Sequence, residues 1–303
     1  MNDAGSADGS LKRLTPGLYL VATPIGNLGD ITLRALDVLK GADRIACEDT
    51  RQTQKLLNHF GIATSTVSYH EHNERERAAE LVEALKIGAR IALVSDAGTP
   101  AISDPGGWLI AEAIAAGIAV IPIPGANAAL SALVASGLPG EEFQFLGFLP
   151  EKAGARRTRL EDLRAVAVES ARTLIFYEAP HRILLTLADV EAVFGADCRI
   201  VLARELTKMH EEFLRGTVAE VRTALAERDR MRGEMVLLIE AKPGAPKSGA
   251  AEAAGSLSIL QRVATLQAEA GIDEKEALKR LARELGRSKS ELYRELQRER
   301  ARR

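Results

Sequence analysis

Short apolar runs and helix-period stretches alternate through the first half of the chain. Gly17-Leu-Tyr-Leu-Val-Ala22, Arg44-Ile-Ala-Cys47, Ile91-Ala-Leu-Val94 and Ile118-Ala-Val-Ile-Pro-Ile123 read as strands. Residues 32–39, 75–86, 108–116 and 126–136 carry apolar positions at helical spacing. Strand and helix in alternation build a parallel sheet with right-handed crossovers. Each strand gives way abruptly to polar or glycine-bearing residues: Thr23-Pro-Ile-Gly26, Glu48-Asp-Thr-Arg51, Ser95-Asp-Ala-Gly-Thr-Pro100 and Pro124-Gly-Ala-Asn127. Open α/β sheets bind ligands at the carboxyl ends of their strands, so the edge where these four segments converge is the expected site.

The pattern changes near Pro139. Strands are expected over 143–148, 173–177, 199–203, 212–215 and 234–239, with helices over 156–170 and 181–193 only, so some neighbouring strands should pair antiparallel. Residues 243–256 are small and lack an apolar period, which reads as a linker. Beyond them, Asp273-x-x-Glu276 has capping-box spacing and Ala277, Leu278, Leu281, Ala282 and Leu285 follow a helical period. Gly286 stops that helix, and Ser288-x-x-Glu291 starts another carrying Leu292 and Leu296. The expected organisation is a disordered N-terminus over 1–15, an α/β domain over 16–138 and a second α/β domain with a mixed sheet over 139–242. The linker and a helix-turn-helix-like module over 257–303 complete it.

A length of 303 residues suits two domains, and an aromatic content of 4% means a core built from Ala, Leu, Ile and Val. Cys47 and Cys198 each fall inside an apparent strand without C-x-x-C spacing, which excludes a disulfide framework or zinc site. His70-Glu-His72 alternates two imidazoles but has no third ligand at motif spacing, so no metal is expected. No apolar run approaches bilayer-crossing length, and a cytoplasmic protein with no membrane partner is expected. The net charge of −2 is unevenly spread. Residues 255–303 hold twelve Lys and Arg against eight Asp and Glu, which leaves an acidic body and a basic tail. That tail is either a solvated face or a contact for an anionic partner.

The first strand end does not carry the dinucleotide signature. Gly26 and Gly29 are its only glycines and Pro24 interrupts the turn, although Glu48 and Asp49 fall where a ribose-binding acid would stand. Glycine-bearing ends without a pyrophosphate loop suit a compact nucleoside lacking phosphate, such as S-adenosylmethionine. Gly26, Gly98 and Gly125 would let the backbone approach it, and Asp96 could hold an ammonium or a ribose hydroxyl.

Five motifs recur in order: Leu20-Val-Ala-Thr-Pro-Ile-Gly-Asn-Leu-Gly-Asp30, Cys47-Glu-Asp-Thr-Arg51, Ser95-Asp-Ala-Gly-Thr-Pro-Ala-Ile-Ser-Asp-Pro-Gly106, Pro122-Ile-Pro-Gly-Ala-Asn127 and Phe176-Tyr-Glu-Ala-Pro-His-Arg182. Over roughly residues 16 to 242 the chain resembles the tetrapyrrole-methylase-like methyltransferases. Within them it is similar to the branch that methylates a cytidine ribose 2′-hydroxyl of 16S rRNA. The resemblance implies a two-domain tetrapyrrole-methylase-like fold with a small helical C-terminal module, a homodimer, S-adenosylmethionine as cofactor and the 30S subunit as partner. By family position it implies that Pro24, Asp96, Gly98 and Thr99 line the cofactor, with Ile102, Ser103, Pro124, Gly125 and Ala126 near it. Second-domain backbone around Leu146, Tyr177 and Met209 would close over it.

The remaining charged residues keep two readings each. Glu48, Asp49 and Arg51 form either an ion-pair network or a ribose-positioning group. Asp104 either caps the helix that starts near Gly106 or faces the ligand. A ribose hydroxyl has a pKa far above 7, so a general base would help, and Asp49, Glu178, His181 and Lys208 are the candidates. Arg51, the cluster Arg156, Arg157 and Arg159, and Lys279, Arg283, Arg287 and Lys289 of the tail are candidate RNA contacts. A small-macrocycle methylase and a non-catalytic ribosome-assembly factor are the rival readings.

Overall fold

The computed structural model describes residues 14–166, 171–242, 259–270, 273–285, 292–294 and 296–297. Most of the expected disordered N-terminus and the whole of the linker lie outside these residues. Contacts divide the chain into two compact units at the Lys242/Pro243 boundary.

The first unit opens with β1 (Gly17–Val21), α1 (Leu33–Gly41), β2 (Arg44–Cys47), α2 (Thr50–His59), β3 (Thr66–Ser68), α3 (Glu74–Lys86), β4 (Arg90–Val94), α4 (Gly107–Ala115), β5 (Val120–Ile123) and α5 (Ala128–Val134). The strands pair in parallel in the order β3-β2-β4-β1-β5. Ile91, Ala92, Leu93 and Val94 are all buried because helices cover both faces of the sheet. Several helices, α1 among them, begin where the sequence offers a partner for an orphan N–H group. The Thr32 hydroxyl accepts from the Ala35 N–H at 3.1 Å, which sets Ala35, Val38 and Leu39 on the buried stripe of α1. β1 and β4 are adjacent, yet β1 crosses toward β2 and β4 toward β5, so a crevice opens beyond their carboxyl ends.

The second sheet comprises β6 (Phe143–Phe148), β7 (Arg172–Glu178), β8 (Arg199–Arg204), β9 (Glu212–Thr217) and β10 (Met235–Ala241), with α6 (Ala153–Val166), α7 (Ile183–Phe194) and α8 (Val218–Ala226) between them. Its order is β6-β7-β10-β8-β9, with β6 and β7 parallel and the other pairs antiparallel. Ala129, Ala132 and Leu133 of α5 join Ile175, Val201, Ala203, Val236 and Leu238 of this sheet in one apolar cluster. That cluster packs α5, which follows the first sheet, directly against the second sheet.

Several details differ from the sequence reading. α2, β3 and α8 were not anticipated, so a third helix, α8, joins α6 and α7 in the second half. Cys47 lies in β2, whereas Cys198 stands one residue before β8. Gly106 caps α4 without a side-chain bond, so Asp104 does not act as its cap.

The second unit contains α9 (Ile259–Ala270) and α10 (Glu274–Leu285). Asp273 Oδ1 accepts from the Glu276 N–H at 2.8 Å and starts α10. Val263, Ala277, Leu278, Leu281, Leu292 and Leu296 are buried together as a small core of its own. Among the described residues, no helix is long and apolar enough to cross a membrane.

Candidate functional site

One wall of the crevice is made of backbone. Thr23 and Gly98 exchange both main-chain bonds, at 2.9 and 3.0 Å, tying the end of β1 to that of β4. The Thr23 hydroxyl donates to the Ser95 carbonyl at 3.2 Å, and the Thr99 hydroxyl donates to the Ala126 carbonyl at 3.3 Å. Asp96 Oδ1 accepts from the Asp49 N–H at 3.0 Å, which adds the end of β2. Four strand ends thus become one stitched surface. Gly98 holds φ +83°, a conformation that glycine tolerates, and a Cβ there would stand 3.2 Å from Ile25 Cγ2.

The opposite wall comes from the second sheet and is held by side chains. The Tyr177 ring meets Phe145 and Phe148 edge-on, at centroid distances of 4.9 and 5.7 Å. Behind it, the buried Glu178 carboxylate accepts from Arg182 Nε, from the Thr186 hydroxyl at 2.7 Å and from the Ala179 N–H at 2.8 Å. Arg182 also donates to the Leu149 carbonyl at 3.0 Å. Lys208 Nζ donates to Glu205 at 2.8 Å and to Glu234 at 3.0 Å. The Lys208 stem reaches the first wall, where a Cβ on Gly26 would fall 2.5 Å from its Cγ.

Between the walls lies a cleft of about 640 Å³, with Ile25, Ile102, Phe148, Leu206, Met235 and Val236 among its apolar lining. That volume and character suit a drug-sized organic ligand. Ala101, Ser103, Glu205 and Thr207 are the non-glycine residues with left-handed φ among those described, at 64°, 61°, 51° and 65°. All four lie in the two loops that border the cleft. Left-handed strain concentrated in this way is characteristic of functional surfaces.

The model of the Tetrapyrrole (Corrin/Porphyrin) Methylases matches residues 17–222. The chain belongs to this family. It is 52% identical over 276 residues to Ribosomal RNA small subunit methyltransferase I of Halalkalibacterium halodurans, covering 91% of this chain and 93% of that one. Its identity to the protein of the same name from Vibrio cholerae is 54% over 225 residues, covering 74% and 77%. Among solved structures it resembles diphthine synthase, with a TM-score of 0.57, 17% identity and coverage of 74% and 89%. At that identity the likeness concerns the fold alone.

In this methylase the sequence-predicted cofactor residues Gly98, Thr99, Ile102, Ser103 and Tyr177 line the cleft. Pro24, Asp96 and Ala126 each adjoin a lining residue, and Pro124, Gly125 and Leu146 lie two or three positions from one. Met209 adjoins the lining residue Lys208 and is itself 94% exposed. Phe148, Ala179, Leu206, Met235 and Val236 were not foreseen in the lining. All stand at or beside strand ends of the second sheet, and that position was the one available signal.

The four candidate bases separate clearly. Asp49 is partly buried, bonded to Arg51 at 2.8 Å, and held down to about 2 by that guanidinium. Glu178 lines the cleft, but its oxygens are taken by Arg182, Thr186 and Ala179. His181 is exposed and outside the lining. Lys208 lines the cleft; burial works against its charge, but the bonds to Glu205 and Glu234 prevail and keep its pKa above the ordinary lysine value. An ammonium so held is a poor proton acceptor.

The methylase's candidate RNA contacts also divide. Arg156 is corrected outright: it is buried and paired with Asp189 of α7, which Arg157 also reaches. Arg159 is exposed on α6, and Arg51 is 85% exposed on α2. Lys279 is half-exposed, 3.5 Å from Glu276. The Arg283 side chain, Arg287 and Lys289 lie outside the described residues. Asp104 had two readings open to it, as a helix cap or as a ligand-facing acid. It lines the cleft, where burial first, and then the charges of Glu48 and Asp96, push its carboxyl up to about 6.

Proposed function

We propose that this chain is an S-adenosylmethionine-dependent methyltransferase of small-subunit ribosomal RNA, acting on a cytidine ribose 2′-hydroxyl in the 30S subunit. The observation that carries this reading is the cleft itself, glycine-opened and apolar-lined, in a chain half-identical to curated methyltransferases of that RNA. The reading includes a homodimer in the cytoplasm and a division of the first unit near residue 138.

The residues present fit the cofactor. Gly98 leaves room that a Cβ would fill, and Ile25, Ile102, Phe148 and Leu206 offer an apolar slot for a base. No phosphate-cradling loop stands at the first strand end, and the ligand has no phosphate to cradle. The bound cofactor supplies an electrophilic methyl group on a sulfonium. The protein's part is to orient the acceptor oxygen in line with that carbon and to exclude water, and positioning of this kind can supply a large share of the rate.

Incubation with labelled S-adenosylmethionine tests the reading. The acceptors are 30S subunits lacking the modification, naked 16S rRNA and a tetrapyrrole precursor. Label is expected in the RNA of the 30S subunits. Label on the macrocycle alone would sink the rRNA reading, and label on none would leave an RNA-binding assembly factor. Light scattering that returned a monomer would remove the dimer.

A further inference from the structure

Four carboxylates line the cleft: Asp104, Glu178, Glu205 and Glu234. Three are committed to cations, Glu178 to Arg182 and the other two to Lys208. Asp104 has no such partner among the described residues. Glu48 at the end of β2 and Asp96 at the end of β4 act on it electrostatically, tempered by a hydrogen bond from Ser95, and its own charge helps push the Tyr177 hydroxyl on β7 upward. Lys208, on the opposite wall, is saturated by its own two acids. Asp104 follows the left-handed Ser103 and is not used as the cap of α4. A loop that holds a strained residue beside an uncommitted, partly desolvated carboxylate is arranged for something other than stability.

We propose that Asp104 is the catalytic base of this methylase, accepting the proton of the acceptor hydroxyl. The inference rests on the methyltransferase reading above. As the ribose oxygen bonds to the methyl carbon, the carbon–sulfur bond breaks and its electron pair stays on sulfur. The O–H pair remains on the oxygen and the proton passes to an Asp104 oxygen. A sulfonium and a carboxylate become a thioether and a carboxylic acid, so charge is consumed within the cleft and no further reactant is needed. A carboxyl of pKa about 6 is ionised at neutral pH and still basic enough to share the proton as the oxygen loses it.

The test compares wild type, Asp104→Asn and Asp104→Glu. Calorimetric titration with S-adenosylhomocysteine is run beside single-turnover methylation of 30S subunits across pH 5 to 9. Asp104→Asn is expected to keep the product affinity within about threefold and to lower the rate by about a hundredfold or more. It should also lose the acidic limb expected of wild type near pH 6. Asp104→Glu should recover part of the rate with a displaced limb. A normal rate in Asp104→Asn, or a loss of product affinity that matches the loss of rate, would overturn the assignment. Should Asp104→Asn fail to fold by circular dichroism, Asp104→Glu decides: an unmoved acidic limb refutes the proposal and a displaced one supports it. Failure of the methyltransferase reading is distinct, because wild type itself would then leave the RNA unlabelled.

Discussion

The two walls of the cleft are held by different forces. The first is stitched through main-chain and hydroxyl bonds among the ends of β1, β4 and β5, with the Asp96 carboxylate tying in β2. The second stands on charge pairs: Glu178 with Arg182, and Lys208 with Glu205 and Glu234. Main-chain bonds among strand ends depend little on pH or salt, and their geometry is set by φ and by the room that glycine leaves. Ion pairs depend on burial: a pair sealed from water is costly to break, whereas an exposed one contributes little. The first wall should therefore respond to steric change and the second to changes of charge.

Arg182→Met makes the sharpest attempt on the second wall. It leaves the Glu178 carboxylate in the interior with only the Thr186 hydroxyl and the Ala179 N–H, and an uncompensated buried charge costs about 3–5 kcal/mol. Chemical denaturation should show a loss of that size, and a loss below about 1 kcal/mol would mean that the pair does not hold the wall. Gly98→Ala is the corresponding probe of the first wall. Left-handed φ costs a side chain about 1–2 kcal/mol, and Ile25 must yield as well, so stability should fall by about that much and cofactor affinity at least tenfold. Unchanged affinity, measured by calorimetry, would show that the glycine is not part of the ligand wall.

This difference also explains what could be read from the chain. A wall made of backbone writes its demands into residue type, so Gly98, Thr99 and Asn127 announce themselves between apolar runs. A wall made of side chains does not: Met235 and Val236 belong to a strand whose residues are buried along its length, and nothing in that run marks two of them as ligand-facing. Arg156 misled because three arginines look like a surface. It lies four and seven positions before Leu160 and Leu163, on the same helical stripe, and so turns inward to Asp189. α2 escaped notice because it buries only Thr53 and Leu57, too thin an apolar stripe to register. The signal for α8 was present in Thr217-x-x-Glu220, but β9 runs into that helix without a loop, so the change of period has no punctuation.

Asp104 belongs to the first wall yet carries charge, which gives a third probe. Its folded pKa, about 6, lies above the ordinary value of 3.8, so between these values the folded state binds more protons than the unfolded one. Stability from this group therefore falls as pH rises from about 4 to 6 and stays reduced above that. Asp104→Asn should raise neutral-pH stability by about 1 kcal/mol, after discounting for partial solvation, and leave stability at pH 4 unchanged. Parallel thermal melts at the two pH values would show the difference, and an equal shift at both would detach Asp104 from the acids around it.

The smallest effect is expected where a charge pair sits on the backbone wall. Arg51 and Asp49 pair beside the end of β2, but the Arg51 side chain is 85% exposed, so water already solvates what the pair would release. The acid's depressed value, about 2, reports a close hydrogen bond in solvent, not a strut of the fold. Arg51→Ala should leave the melting temperature where it is. If the exposed guanidinium meets a phosphate of the RNA, the slope of log affinity against log salt should fall by about 1. A destabilisation comparable to that of Arg182→Met would break the distinction between the walls, because an exposed pair would then carry structure as a buried one does.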